Sequence, residues 1–224
     1  MLHLPICLAC LVVAAAFIYV EHIKKFLAAD IVKGLASVLF VVVGILSAGI
    51  AKDASYARII VIGLVIGAIA DVLLNLRYVF EGELGQRVFL VGIIVFLIGH
   101  IVYIVGIAPR CPSLLAGIVL GIAVAAALLW WIFGKITAKP AFKAFGVVYI
   151  GAISVLNCVA ATTMLLAPTA HAAIFFLGAL LFLVSDVVLI LNTFGGEFRF
   201  GFRVTNLMLY YAGQLLIALS LQLV

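Results

Sequence analysis

Residues 175–191 read FFLGALLFLVSDVVLIL, an apolar run broken only by Ser185 and Asp186. Residues 63–76, GLVIGAIADVLLNL, repeat the arrangement around Asp71. In each segment a glycine precedes the acid by eight residues (Gly63, Gly178), a valine follows it (Val72, Val187), and leucines recur three and five residues later (Leu74, Leu76; Leu189, Leu191). Runs this long and apolar are membrane-span material. A carboxylate inside one costs roughly 2.5 to 3.5 kcal/mol on insertion scales. Two acids at matched places in a duplicated segment therefore mark a functional site, and the sequence makes Asp71 and Asp186 the centre of one.

Composition agrees with this reading. Of 224 residues 69% are hydrophobic and 9% charged, far from the roughly 25% charge of soluble domains. The formal net charge of +5 comes from thirteen Lys and Arg scattered through short connections, which is loop bias and not a nucleic-acid stripe. Cys7 and Cys10 have CxxC spacing with no second ligand pair, so neither a metal nor any other cofactor is expected. The opening MLHLPICLACLVVAAAFIYV lacks the basic start of a signal peptide and is expected to be a retained first helix.

Cutting the chain at charged and Gly/Pro punctuation gives eight runs, at 2–20, 31–50, 58–76, 87–107, 113–134, 143–166, 171–191 and 205–223. The expected fold is all-α: a single polytopic membrane bundle over 1–224. The repeat shifts by about four helices, so two parallel four-helix repeats are expected, with halves at about 1–107 and 113–224. Ten Lys and Arg fall on one side (24, 25, 33, 77, 87, 135, 139, 143, 199, 203) and three on the other (52, 58, 110). The positive-inside rule then puts both termini outside the cytoplasm, in what is expected to be a bacterial inner membrane.

Gly63, Gly67, Asp71 and Asn75 share one face of the third run at i, i+4 spacing. The glycines suit close helix contact and the last two residues a polar pocket. His100 and Tyr103 lie three apart on the fourth run, and Tyr210, Tyr211 and Gln214 occupy the corresponding place on the eighth. Tyr149 and Asn157 share a face of the sixth. Lys33 opens the second run, where snorkelling to the interface competes with holding a phosphate. The connections RYVFEGELGQR (77–87) and TFGGEFRFGFR (193–203) resemble each other. They form either hairpins lying at the interface or a rim in which Arg77, Arg199 and Arg203 grip a lipid headgroup.

Taken together, Lys33, the AD-V-L-L of 70–74, the GH-x2-Y of Gly99, His100 and Tyr103, the FLVSD of 182–186 and the YYAGQ ending at Gln214 resemble the lysoplasmalogenase (YhhN-like) family of multi-pass membrane proteins. Ala70 and Gly34 stand where that family usually has Gly and Pro. The resemblance implies metal-free hydrolysis of the vinyl ether of a lysoplasmalogen in the cytoplasmic leaflet, giving a fatty aldehyde and glycerophosphoethanolamine or glycerophosphocholine. The expected partners are this lysophospholipid and membrane lipids, with no nucleic acid.

The residues suit such chemistry independently. The alkene carbon must be protonated and the oxocarbenium ion met by an anion, and two carboxylates buried together with one proton between them supply both. Glycosidases solve the same problem with two acids. Asp71 and Asp186 are the expected catalytic pair. Asn75, His100, Tyr103, Tyr149, Ser185, Tyr211 and Gln214 would tune or position, and Lys33 would meet the phosphate with the loop arginines. A proton-coupled transporter using the same acids is the alternative, although the third and seventh runs lack the proline that breaks many transporter helices. Neither AIAD nor LVSD matches the GxGD of intramembrane aspartyl proteases.

Overall fold

The computed structural model describes residues 2–80, 82–138 and 140–224. Among them run eight helices long and apolar enough to cross a membrane: α1 (His3–His22), α2 (Phe26–Ala48), α3 (Ala54–Leu76), α4 (Gly82–Ile107), α5 (Leu114–Phe133), α6 (Pro140–Leu166), α7 (Ala170–Phe194) and α8 (Phe200–Ser220). No strand is present among the described residues. The fold is an all-α polytopic bundle, with every run of the sequence realised as a helix.

The differences lie at the ends. α2 starts at Phe26, which puts Lys33 two turns inside the helix and not at its mouth. α4 starts at Gly82 and α8 at Phe200, so neither connection after an aspartate helix is an interfacial hairpin. Each is a short turn followed by helix. Charge does not stop a helix whose first turn pairs it internally, as Glu83 and Arg87 do at i, i+4. Glu81 and Lys139, which the connection and charge readings include, lie outside the described residues.

Lipid gives no hydrophobic drive between helices, so close packing of small residues has to bring them together. At the α5–α6 contact Gly121 lies so close that a Cβ would stand 2.5 Å from the Val155 Cα. α7 and α8 cross where Gly178 meets Gly213, each within 2.8 Å of the other's carbonyl oxygen once a Cβ is imagined on it. α3 and α4 cross at the equivalent place, Gly63 against Gly99. α5 buries little beyond Gly117, Gly121, Ala125 and Ile132 and forms the rim, whereas α8 has a buried face running from Arg203 to Ser220 and forms the centre. α2 packs on α8 and α6 on α4, and a four-helix shift exchanges these two contacts. That exchange supports the proposal that the bundle is two parallel repeats.

Candidate functional site

Asp71 on α3 and Asp186 on α7 are 2% and 4% exposed and line one polar cavity of about 490 Å3. The stripe on α3 explains how Asp71 fits there. Gly63 makes room for the ring of Tyr103, and Gly67 for the Gln214 amide, whose nitrogen would stand 3.0 Å from a Cβ. The small residues clear space for Tyr103 of α4 and Gln214 of α8 beside α3, behind the Tyr210 hydroxyl that reaches the acid.

Asp71 is crowded with donors. Lys33 Nζ stands 3.1 Å from its Oδ1, and Oδ2 accepts from Ser37 Oγ at 2.7 Å and Tyr210 Oη at 2.6 Å. Lys33 also donates to the Asp71 carbonyl at 3.1 Å. Behind Tyr210 the chain continues, with Gln214 Nε2 donating to the Tyr210 hydroxyl at 3.2 Å and Tyr103 donating to Gln214 Oε1 at 2.9 Å. Tyr211 closes the α2 side, its hydroxyl donating to the Lys33 carbonyl at 3.4 Å.

Asp186 has a sparser setting. Its Oδ2 accepts from Tyr149 Oη on α6 at 2.6 Å. Asp186 and Tyr149 also line a second cavity of about 740 Å3 between α4, α5, α6 and α7, walled almost wholly by aliphatic and phenyl groups such as Ile93, Leu129, Ile132 and Phe142. Leu74, Phe89, Phe96 and Leu189 belong to both cavities, so the two chambers meet at Asp186.

Comparison with family models bears out the resemblance read from the sequence. The model of the YhhN family matches residues 28–221. The chain belongs to the YhhN family. Comparison with curated proteins and with solved structures found no match.

Around the YhhN cavity the remaining expected residues fall into three groups. Asn75, Arg77 and Arg203 line the polar chamber itself. His100, Tyr103, Tyr211 and Gln214 stand behind it. His100 bonds the Phe96 carbonyl through Nδ1 at 2.8 Å and packs its ring on Phe182 and Tyr149. Ser185 and Arg199 stand apart. Ser185 donates to the Asn206 carbonyl at 3.0 Å and accepts from the Asn206 amide at 2.8 Å, fastening α7 to α8. Arg199 lies in an open surface groove with Lys135 and Glu197.

The expected arginine rim also divides. Arg203 is 6% exposed within α8 and forks onto Glu21 of α1, with Nε and Nη2 at 2.8 and 2.6 Å from the two carboxylate oxygens. Its charge is already matched, as bidentate carboxylate pairing does. Arg77 has no carboxylate partner among the described residues. Its guanidinium lies over the rings of Phe89 and Tyr78 at 4.1 and 4.5 Å, and its Nε is buried without a hydrogen bond. It lines the polar chamber and also the grooves that open from it to the surface.

Four polar residues of the site were missed in the sequence. Ser37 touches Asp71, Asn206 lines the chamber, Glu21 holds Arg203, and Asp30 is a third buried acid one turn before Lys33. The i, i+3, i+7 spacing of Asp30, Lys33 and Ser37 on one helix face was the available signal.

Proposed function

We propose that this YhhN chain is a lysoplasmalogenase, which hydrolyses the vinyl ether of a lysoplasmalogen to a fatty aldehyde and a glycerophospho-headgroup without a metal. The observation that carries the reading is the pair of joined chambers. A lysolipid has a polar headgroup, a single hydrocarbon chain and, in the alkenyl form, an acid-labile bond at their junction. The polar chamber with Asp71, Lys33 and Arg77 suits the first, the apolar chamber the second, and Asp186 stands where the labile bond would lie. Arg77, which has no carboxylate partner among the described residues, is the group for the phosphate, and Arg203 is instead a tie between α1 and α8. Family membership points the same way.

The reaction needs a proton on the alkenyl carbon beyond the ether-bearing one. Forming that C–H bond converts the vinyl ether into an oxocarbenium ion. Water adds to it, and the hemiacetal breaks its bond to the glyceryl oxygen, releasing aldehyde and alcohol. The two aspartates share this work, and the substrate enters from the cytoplasmic leaflet of a bacterial inner membrane, with the termini on the opposite side.

The test is mass spectrometry of purified protein incubated with alkenyl and acyl lysophospholipids side by side. Consumption of the alkenyl compound alone, with release of aldehyde, is expected. Asp71→Asn and Asp186→Asn should each abolish release while the protein still elutes as a folded species. Equal consumption of the acyl compound, or full activity in either variant, would sink the reading. Counterflow of an intact lipid in liposomes without product would favour transport instead.

A further inference from the structure

The two acids occupy equivalent places in the repeat, and in each half the preceding helix supplies a partner from nearly the same distance along the chain. Lys33 on α2 stands 38 residues before Asp71, and Tyr149 on α6 stands 37 before Asp186. At one position the partner is a cation and at the other a neutral phenol. We propose that the duplicated halves have divided the chemistry, with Asp186 as the proton donor and Asp71 as the standing anion. This rests on the vinyl-ether reading of the joined chambers and deepens it.

An unpaired charge in a low-dielectric interior is costly, and a buried carboxyl with no cation beside it takes up a proton instead. Asp71 meets Lys33 at 3.1 Å and accepts from two hydroxyls besides, every one of which favours its charged form. Asp186 forms no ion pair among the described residues, and Tyr149 is its one hydrogen-bond partner there.

The other groups of the surrounding helices leave it so. On α8, Arg203 is taken by Glu21 and Tyr210 by Asp71. On α6, Lys143 lies over the Phe133 ring at 5.9 Å. On α4, His100 is held by the Phe96 carbonyl. On α2, Asp30 stands beside Lys33 and adds no positive charge. Arg77 lies at the mouth, over Phe89 and Tyr78. Asp186 also faces the apolar chamber, where the alkenyl carbon would sit.

In this scheme the alkene electron pair forms the new C–H bond to the Asp186 proton while a lone pair of the ether oxygen moves into the C–O bond, and the Asp71 carboxylate faces the resulting oxocarbenium ion. The Asp186 carboxylate then takes a proton from the attacking water as the C–O bond forms. It gives that proton to the glyceryl oxygen when the hemiacetal breaks and takes up the hemiacetal hydroxyl proton as the aldehyde carbonyl forms, so that the acid ends as it began. Lys33 and Tyr149 are positioning residues, the first keeping Asp71 ionised and the second aiming Asp186.

Infrared spectroscopy of the lipid-free protein at neutral pH tests this without any substrate. A carbonyl stretch of a protonated carboxyl, shifted by exchange into deuterium oxide, should vanish in Asp186→Asn and persist in Asp71→Asn. The difference spectra separate it from any signal of Asp30. Tyr149→Phe, a milder change, should move the band by removing its hydrogen bond, whereas Tyr210→Phe and Ser37→Ala should leave it in place. Lys33→Met should add a second such band that Lys33→Met/Asp71→Asn lacks. A band that disappears with Asp71→Asn, or none that responds to Asp186→Asn or Tyr149→Phe, would overturn the assignment. Failure of aldehyde release with the infrared pattern intact would refute the substrate and leave the division of charge standing.

Discussion

Gln214 shows what single residues contribute here. It is fully buried, and its amide is used at both ends, accepting from Tyr103 and donating to Tyr210, which in turn donates to Asp71. All three donations run toward the acid, so the chain presents Asp71 with a fixed donor. Gln214→Leu leaves the Tyr103 hydroxyl buried and unpaired, at a cost of about 1 to 3 kcal/mol. A lower thermal midpoint in detergent is expected, together with reduced aldehyde release as Tyr210 loses its support; an unchanged midpoint would remove Gln214 from the network. Gln214 and Tyr103 were visible in the sequence because large polar groups are rare in apolar helices. Ser37 and Asp30 were not. A serine among small apolar residues reads as packing, and an acid near a helix start reads as solvated until the true start of α2 at Phe26 carries it inside. Lys33 was noticed, but its partner is 38 residues away and no local pattern announces the pairing.

Hydropathy located every helix, because length and apolarity are local properties of the chain. It misplaced several ends, because a capped or internally paired helix tolerates charge that a hydropathy scan reads as a boundary. Asp53 is the clearest case. It caps α3, its Oδ1 accepting from the Tyr56 N–H at 3.0 Å, and Arg110, three residues past the end of α4, reaches its Oδ2 at 2.6 Å. The Tyr56 N–H above all, with Arg110 adding to it, holds the Asp53 carboxyl below its ordinary value. A depressed carboxyl contributes stability that is present above the usual carboxylate range near pH 4 and lost as pH falls through the folded value. The thermal midpoint of the wild type should therefore drop on acidification. Asp53→Asn keeps a capping oxygen without the charge, so its midpoint should fall less over the same range. Equal slopes in the two proteins would mean that the cap and the arginine pair do not couple α3 to α4.

The assembled bundle carries what neither residue nor helix reveals alone. The sequence pointed to a repeat through its two acids, but the division of the interior into a polar and an apolar chamber depends on which faces of α4 to α7 meet, and that is settled by packing. Gly146 on α6 is informative for this reason. It lines the apolar chamber, and a Cβ added there would meet nothing within 4 Å, so a larger residue is accommodated by the empty space and not by displaced neighbours. If the chamber seats the hydrocarbon chain, Gly146→Leu should shorten the chain it accepts. Each methylene denied its contact is worth roughly 0.8 kcal/mol, so two lost methylenes lower kcat/KM about tenfold. Long alkenyl lysolipids should lose activity to that extent in a chain-length series, while short ones keep theirs and the thermal midpoint stays close to wild type. A uniform loss across all chain lengths would place the chain elsewhere, and the apolar chamber would then be a gap between helices with no part in recognising substrate.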